Sequence, residues 1–120
     1  MSSRDQIVEA VQRYSYSITN EAELQEALAT ALTEAGIEFE REVTLDAKNR
    51  IDFMVGSIGI EVKVGGNAHS LARQLLRYAE FDSVTELVVL TTMMRHRIAI
   101  GDSPIRGKPV KSVLLRAGVF

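Results

Sequence analysis

The sequence predicts a single α/β domain over residues 1–120, with a mixed central β-sheet flanked by helices in the order ααβββαββ. Three observations predict this class. Two segments with helical apolar spacing open the chain, an alternating segment and a tight hairpin follow, and a third helical segment then separates two apolar strands. A strand–helix–strand unit is typical of a parallel crossover. The composition, 46% apolar and 25% charged, suits a globular domain with one core.

Capping signals define the first two predicted helices. Ser3 begins a segment that resembles a capping box, and the apolar positions after it predict a helix from about residue 3 to 15. A short connection over 14–19 follows. Asn20 is the second capping signal, and an amphipathic helix of roughly four turns extends from there to Gly36, a glycine at a C′ position.

Period-two alternation replaces helical spacing after Gly36. One face of the predicted strand carries apolar residues and an arginine, and the other carries three glutamates. A turn at 46–49 then leads into a hairpin whose two-residue turn is Gly56–Ser57. The sequence therefore predicts three consecutive antiparallel strands.

The hairpin turn determines which residues of its two strands face each other. Asp52 is predicted to lie directly opposite Glu61, with Cβ atoms roughly 4.5–5.5 Å apart, and Lys63 follows on the same face because strand side chains alternate. Two carboxylates beside a lysine, on the outer face of the sheet, predict a hard-cation site with a cationic neighbour. The core face is predicted to carry Ile51, Phe53, Val55, Ile58, Ile60 and Val62.

The C-terminal half is predicted to extend the sheet. Asn67 or Ser70 caps a third helix, which has a buried apolar stripe. The strand at 87–92 is apolar on both faces, as is typical of a strand in the middle of a parallel sheet. The region 101–109 has the composition of a loop, and a last strand is predicted at 110–116.

Bulk properties exclude several classes of protein. The chain has no cysteine, which excludes a disulfide framework and a thiolate zinc site. The start lacks the apolar run of a signal peptide and no stretch approaches the length of a membrane span, so a cytoplasmic protein with no membrane partner is expected. Residues 1–60 carry 11 acids and 5 bases, and residues 61–120 carry 5 acids and 9 bases, which permits a basic surface beside an acidic pocket.

The order of elements, with Asp52 and then Glu61–Val62–Lys63 on a hairpin after a helix, resembles the PD-(D/E)xK nuclease superfamily. Gln74 and Tyr78 resemble the Gln-x-x-x-Tyr motif of its RecB-type members. The segment 20–25 resembles the acidic first-helix motif of small stand-alone members, including VRR-NUC-like phage nucleases. The superfamily proline and the RecB-type Gly-x-x-x-His motif are both absent from this chain.

The resemblance implies a restriction-endonuclease-like core and a Mg²⁺- or Mn²⁺-dependent endodeoxyribonuclease. It implies that Asp52, Glu61 and the backbone carbonyl of Val62 hold the metal, with Glu21 as a direct or water-mediated ligand. Lys63 would hold the attacking water or stabilise developing negative charge. The expected catalytic residues are Asp52, Glu61, Lys63, Glu21, Gln74 and Tyr78.

DNA is the partner that the resemblance implies. The segment 95–97 fits a phosphate-contacting loop and, equally, a plain solvated loop; neither His69 nor His96 has the paired spacing of a zinc site. A chain of this size has little room for a specificity domain, and minimal nucleases of this kind act as homodimers or select DNA by structure. A homodimer is therefore one of two options, and junction or branched DNA is the expected substrate. The candidate nucleic-acid-binding residues are Arg50, Arg73, Arg77, Arg95 and Arg97.

Several alternatives stay open on the sequence. The acids and Lys63 also fit a surface salt bridge, and Glu26 competes with Glu21 as the helix acid. Gln74 and Tyr78 also fit a solvated glutamine beside a buried tyrosine. A non-catalytic nucleic-acid-binding or complex-assembly module on the same fold is the alternative function. The sequence decides neither between DNA and RNA as the substrate nor between one metal ion and two.

Overall fold

The structure is a computed structural model that describes residues 2–16 and 20–117. Five strands form one sheet in the order β1-β2-β3-β4-β5. The elements in chain order are α1 (Ser3–Gln12), α2 (Glu21–Glu34), β1 (Glu40–Thr44), β2 (Arg50–Val55), β3 (Ile58–Lys63), α3 (Ala68–Tyr78), β4 (Glu86–Thr91), α4 (Met94–Ile100) and β5 (Val110–Leu114).

The sheet is mixed. β1, β2 and β3 form an antiparallel meander, whereas β3, β4 and β5 are parallel neighbours. The predictions of an α/β class, of three consecutive antiparallel strands and of a parallel crossover through α3 are therefore confirmed. A further helix, α4, stands between β4 and β5, so the observed order is ααβββαβαβ.

The first helix is shorter than predicted. Ser2, rather than Ser3, is its N-cap, and the Ser2 hydroxyl accepts a backbone N–H at 3.1 Å. The helix ends at Gln12 because Tyr14 lies 39% exposed, outside the core, and so provides no burial for another turn. The connection predicted at 14–19 lies partly outside the described residues.

The caps of the next two helices agree with the sequence. The Asn20 side chain accepts a backbone N–H of α2 at 2.8 Å, and Gly36 follows the helix with a φ of 73°. Asn67, one of the two predicted caps of α3, accepts the N–H of Ser70, the other candidate, at 2.7 Å. Side-chain capping therefore sets where α2 and α3 start.

Two apolar cores lie on opposite faces of the sheet. Residues from α1 and α2 pack on one face, and residues from α3 pack on the other. β4 contributes to both cores, with Val88 and Leu90 in the first and Leu87 and Val89 in the second. The prediction that this strand is buried on both faces is confirmed.

Strand β2 changes face between Ile51 and Phe53. Phe53 packs in the α1–α2 core as predicted, but Ile51 packs in the α3 core, so the prediction that they share a face is wrong. The pairs Arg41–Phe53 and Val43–Ile51 flank Glu42, whose φ of 54° departs from extended backbone. The regular alternation of the pleat is broken at this point.

The C-terminal part also differs from the prediction. The segment 95–97, predicted to be a loop, lies in α4, because the side chain of His96 is fully buried and gives this short helix an inward face. The predicted loop at 101–109 is confirmed, and β5 ends at Leu114, before the predicted end at 116. Among the described residues, no helix is both long and apolar enough to cross a lipid bilayer.

Candidate active site

Asp52 binds the backbone of the neighbouring strand. The backbone pairs of β2 with β3 follow the predicted register and end at Phe53–Ile60. Beyond them, Asp52 Oδ2 accepts a hydrogen bond from the Val62 N–H at 2.8 Å. Burial raises the pKa of the Asp52 carboxyl; the bond from Val62 opposes this shift, and the charge of Glu21 adds to it.

Glu61 is buried between β3 and α3, with only 2% of its surface exposed. The predicted outer face of the hairpin is therefore closed to solvent at Glu61, because α3 covers it there, while Asp52 and Lys63 stay partly exposed. Glu61 Oε2 lies 3.7 Å from Lys63 Nζ, and Oε1 lies 3.3 Å from the Tyr78 hydroxyl. Burial, and then the charge of Asp52, raise the pKa of Glu61 to about 8, while Lys63 opposes the shift.

Lys63 is the last residue of β3, and its side chain is 27% exposed. Its ammonium group opposes the rise in the pKa of both Asp52 and Glu61. We call Asp52 and Glu61 the carboxylate pair. The structure brings the pair and Lys63 together, as the sequence predicted.

Gln74 and Tyr78 support the carboxylate pair from α3. The Gln74 amide donates to the Tyr78 hydroxyl at 2.8 Å, and that hydroxyl lies 2.8 Å from the carbonyl oxygen of Arg50 and 3.3 Å from Glu61 Oε1. Burial raises the pKa of Tyr78, and the charge of Glu61 adds to this. Tyr78 is buried and Gln74 is half-buried, so neither side chain is simply solvated.

Glu21 reaches the same site from the first turn of α2. It is half-buried, and its charge raises the pKa of Asp52. The two other candidate acids have separate contacts. The Glu23 backbone N–H donates to the Asn20 cap, and Glu26 Oε1 lies 2.7 Å from the guanidinium of Arg41.

The predicted arginines fall into two groups. On the β2–α3 side, Arg50 pairs with Glu42 at 2.9 Å, Arg77 donates to the side chain of Asn49 at 3.1 Å, and Arg73 is exposed. These three lie on the elements that carry Asp52 and Gln74. Arg50 is also joined to the site directly, because its carbonyl accepts from Tyr78.

The second group lies on α4. Arg95 donates to the carbonyl of Gly66 at 2.9 Å, next to the end of β3. Arg97 lies 3.6 Å from Asp102, whose other oxygen accepts the backbone N–H of Ser112. The structure thus joins Arg95 to the loop after Lys63 but engages Arg97 elsewhere.

The oxygen donors of the site are few but suited to a metal ion. Over residues 2–16 and 20–117, no group of three or more His, Cys, Asp or Glu side chains is arranged to hold one. The site offers two carboxylates, and one or two carboxylates completed by water and phosphate oxygens are a common Mg²⁺ environment. Both carboxyls of the pair have a raised pKa, so a cation there would neutralise a repulsive pair. The donor chemistry fits a hard divalent cation.

One contact near the site had no signal in the sequence. His96 Nε2 lies 2.9 Å from the carbonyl oxygen of Gly65, two residues after Lys63. A histidine between two arginines is typical of a solvated segment, and only the packing of α4 shows that His96 points inward. His69, by contrast, is exposed on α3.

No family model, curated protein or solved structure matches this chain.

Proposed function

We propose that this chain is a metal-dependent endonuclease that hydrolyses DNA phosphodiester bonds on a restriction-endonuclease-like fold. The observation that carries the proposal is the ion pair of Lys63 with Glu61 at the end of β3, where the charge of Lys63 also acts on Asp52. Hydrolysis of a phosphodiester needs an activated water and neutralisation of charge on the phosphate. A pair of acids beside a lysine supplies groups for both tasks.

Each residue of the site has a role in this proposal. Asp52 and Glu61 would hold Mg²⁺ or Mn²⁺ with the Val62 carbonyl, and Glu21 would act directly or through water. Such a cation, when bound, supplies Lewis acidity and a more acidic water. Lys63 would orient the attacking water or stabilise the developing charge on the phosphate.

The α3 residues would fix the geometry of the acids. Tyr78 lies between Glu61 and the Arg50 carbonyl, and the Gln74 amide holds the Tyr78 hydroxyl from the other side. A glutamate held in this way has fewer orientations in which to meet a cation. Gln74 also lines the same hollow as Lys63, from which it would contact a phosphate or a bound water.

The substrate in this proposal is DNA, with junction or branched DNA as the preferred form. Arg73 and Arg77 on α3, and Arg95 on α4, would contact phosphates on either side of the carboxylate pair. The small domain offers little surface for reading sequence, so shape selection by a homodimer, with one site for each strand, suits it better.

A non-catalytic nucleic-acid-binding or complex-assembly module is the second candidate. The observation in its favour is that the described residues form no group of three metal-binding side chains. Such a module would keep the basic residues on α3 and would have no use for a lysine beside the buried Glu61 and the half-buried Asp52. The retained set of Asp52, Glu61 and Lys63 therefore favours the enzyme.

A cleavage assay separates the two candidates. The protein is incubated with supercoiled plasmid, linear duplex, single-stranded, flap and four-way-junction DNA, in Mn²⁺, Mg²⁺ or EDTA. Lys63→Ala is compared with Lys111→Ala, because Lys111 also extends from a parallel strand and lies 3.4 Å from a carboxylate, that of Asp102.

Metal-dependent cleavage that is lost in Lys63→Ala and kept in Lys111→Ala would support the nuclease, and the preferred DNA would identify its type. If the folded wild-type protein cuts none of these substrates with either metal, the nuclease proposal fails and the binding module takes its place.

A further inference from the structure

The loop after Lys63 is held by two neighbouring side chains of α4. His96 Nε2 lies 2.9 Å from the carbonyl oxygen of Gly65, and the Arg95 guanidinium donates to the carbonyl of Gly66 at the same distance. β3 ends at Lys63, so the two contacted carbonyls belong to the second and third residues after Lys63. α4 therefore fixes the path of the backbone as it leaves the site.

The chemistry of the Gly65 contact defines the state of the imidazole. A carbonyl oxygen only accepts hydrogen bonds, so His96 Nε2 must carry the proton and donate it. The other ring nitrogen, Nδ1, is buried without a hydrogen-bond partner in the described part of the chain. An apolar side chain would fill this space with no unpaired nitrogen. Compared with an apolar residue, the histidine contributes the hydrogen bond to Gly65.

The loop held in this way forms one wall of a hollow beside Lys63. The hollow has a volume of about 160 Å³ and is lined by Lys63, the Gly65–Gly66 backbone, and Ser70 and Gln74 of α3. A Cβ on either glycine would meet nothing within 4 Å, so the wall is bare backbone. The position of this backbone therefore sets the loop side of the space in front of Lys63.

We propose that His96 is a positioning residue for Lys63. By holding the Gly65 carbonyl, with Arg95 holding its neighbour, His96 keeps the loop back from Lys63 and the hollow open for a phosphate group to approach the ammonium. The role in catalysis rests on the proposed nuclease function, whereas the hold on the loop rests on the structure alone.

Three variants test this inference. His96→Leu keeps an apolar filling and removes the donor, and His96→Gln keeps an amide N–H that can reach the position of Nε2. Ser112→Ala is the matched control, because the Ser112 hydroxyl donates to the Gly101 carbonyl at 2.6 Å and so anchors the other end of α4.

Two readouts need no substrate. Hydrogen exchange of the amides at 64–67 should be faster in His96→Leu, and an amine-acylating reagent should label Lys63 several-fold faster relative to Lys111. Wild-type behaviour should return in His96→Gln and persist in Ser112→Ala. If His96→Leu leaves both readouts at wild-type values while folded, the positioning role is overturned whether or not the protein cuts DNA.

The third readout is cleavage. In His96→Leu, kcat should fall on the order of 10- to 100-fold, while KM for DNA and the stabilisation by Mn²⁺ stay near wild type. Unchanged kcat with a loosened loop would overturn the role in catalysis. A wild-type protein that cuts nothing would refute the proposed function instead, and the role in catalysis with it, while the exchange and labelling results would still decide the hold on the loop.

Discussion

The Asp52 carboxylate accepts the backbone N–H of Val62 at 2.8 Å, at the point where the backbone pairs between β2 and β3 end. A side chain thus takes over a ladder hydrogen bond through one of its two carboxylate oxygens. The same bond ties the two strands together next to Lys63. Asp52 consequently has a structural contact in addition to its proposed role in metal binding.

Asp52→Ala should abolish stabilisation by divalent cations. The wild-type Tm should rise when Mg²⁺ or Mn²⁺ is added, because a ligand that binds only the folded state stabilises it by mass action. The variant should lose this rise, and its metal-free free energy of unfolding should fall by about 1–3 kcal/mol because the Val62 N–H is left unpaired. Differential scanning fluorimetry with and without metal measures both effects.

The control for this variant is Asp102→Ala. Asp102 also accepts the backbone N–H of a strand residue, that of Ser112, but it lies in a loop with Arg97 and Lys111 rather than with the carboxylate pair. Asp102→Ala should lower the free energy of unfolding but keep the rise in Tm when metal is added. A full metal response in Asp52→Ala would contradict the assignment of Asp52 as a ligand.

The metal-free protein should become less stable as the pH rises from about 5 to 8. The pKa of Glu61 is raised from 4.5 to about 8 in the folded state, mainly by burial. A carboxyl group whose pKa is higher in the folded state than in the unfolded state stabilises the fold fully at a pH below its unfolded-state pKa. This stabilisation is lost as the pH rises through the folded-state pKa. The free energy of unfolding should fall by an amount on the order of a few kcal/mol over this pH range.

Glu61→Gln should flatten this pH dependence, because an amide does not ionise, and saturating Mg²⁺ should reduce it in the wild type. Urea unfolding in EDTA at several pH values provides the measurement. Glu80→Gln, at an exposed glutamate paired with Arg106, is the comparison and should follow the wild-type curve. A pH profile of Glu61→Gln that matches wild type would exclude Glu61 as the titrating group.

Tyr78→Phe should weaken both the fold and the site. The variant removes the hydroxyl that contacts Gln74, the Arg50 carbonyl and Glu61, so the free energy of unfolding should fall by about 1–3 kcal/mol. Cleavage should fall by about 10- to 100-fold, since Glu61 loses a contact that orients it. Chemical denaturation and single-turnover kinetics measure the two losses.

Tyr14→Phe is the control, because Tyr14 is exposed and its hydroxyl contacts only the exposed Glu34 among the described residues. Its stability should stay within about 0.5 kcal/mol of wild type. Equal losses of stability in Tyr78→Phe and Tyr14→Phe would indicate that the hydrogen bonds of the Tyr78 hydroxyl do not stabilise the fold.

Gly59→Ala should destabilise the packing of the sheet under α3. A Cβ at Gly59 would collide with Cδ1 of Ile51 and lie 3.3 Å from Cδ2 of Leu87, in a core where both side chains are fully buried. Overpacking of this kind costs about 1–3 kcal/mol. At Gly65 a Cβ meets nothing within 4 Å, so Gly65→Ala should leave the free energy of unfolding nearly unchanged. Thermal unfolding of the two variants distinguishes them.

The sequence allowed much of the fold to be predicted where the signals are local. Asn20 and Asn67 cap helices as their side chains require, and the hairpin at Gly56–Ser57 has the register that a two-residue turn imposes. Capping and turn geometry involve residues only a few positions apart, so the sequence contains the whole interaction. The same locality explains why Lys63 could be placed beside Glu61.

Packing between distant segments decided the rest. Ile51 turns to the α3 core because the β1–β2 pairing is interrupted at Glu42, and Glu61 is buried because α3 covers its face of the sheet. His96 reaches Gly65 only because α4 docks against the loop after β3. The sequence by itself determined the order of the elements and the residues of the hairpin, because those depend on periodicity and turn chemistry. Only the tertiary structure decided which of those residues are buried, and therefore which carboxyls have a raised pKa, because burial depends on contacts between segments far apart in the chain.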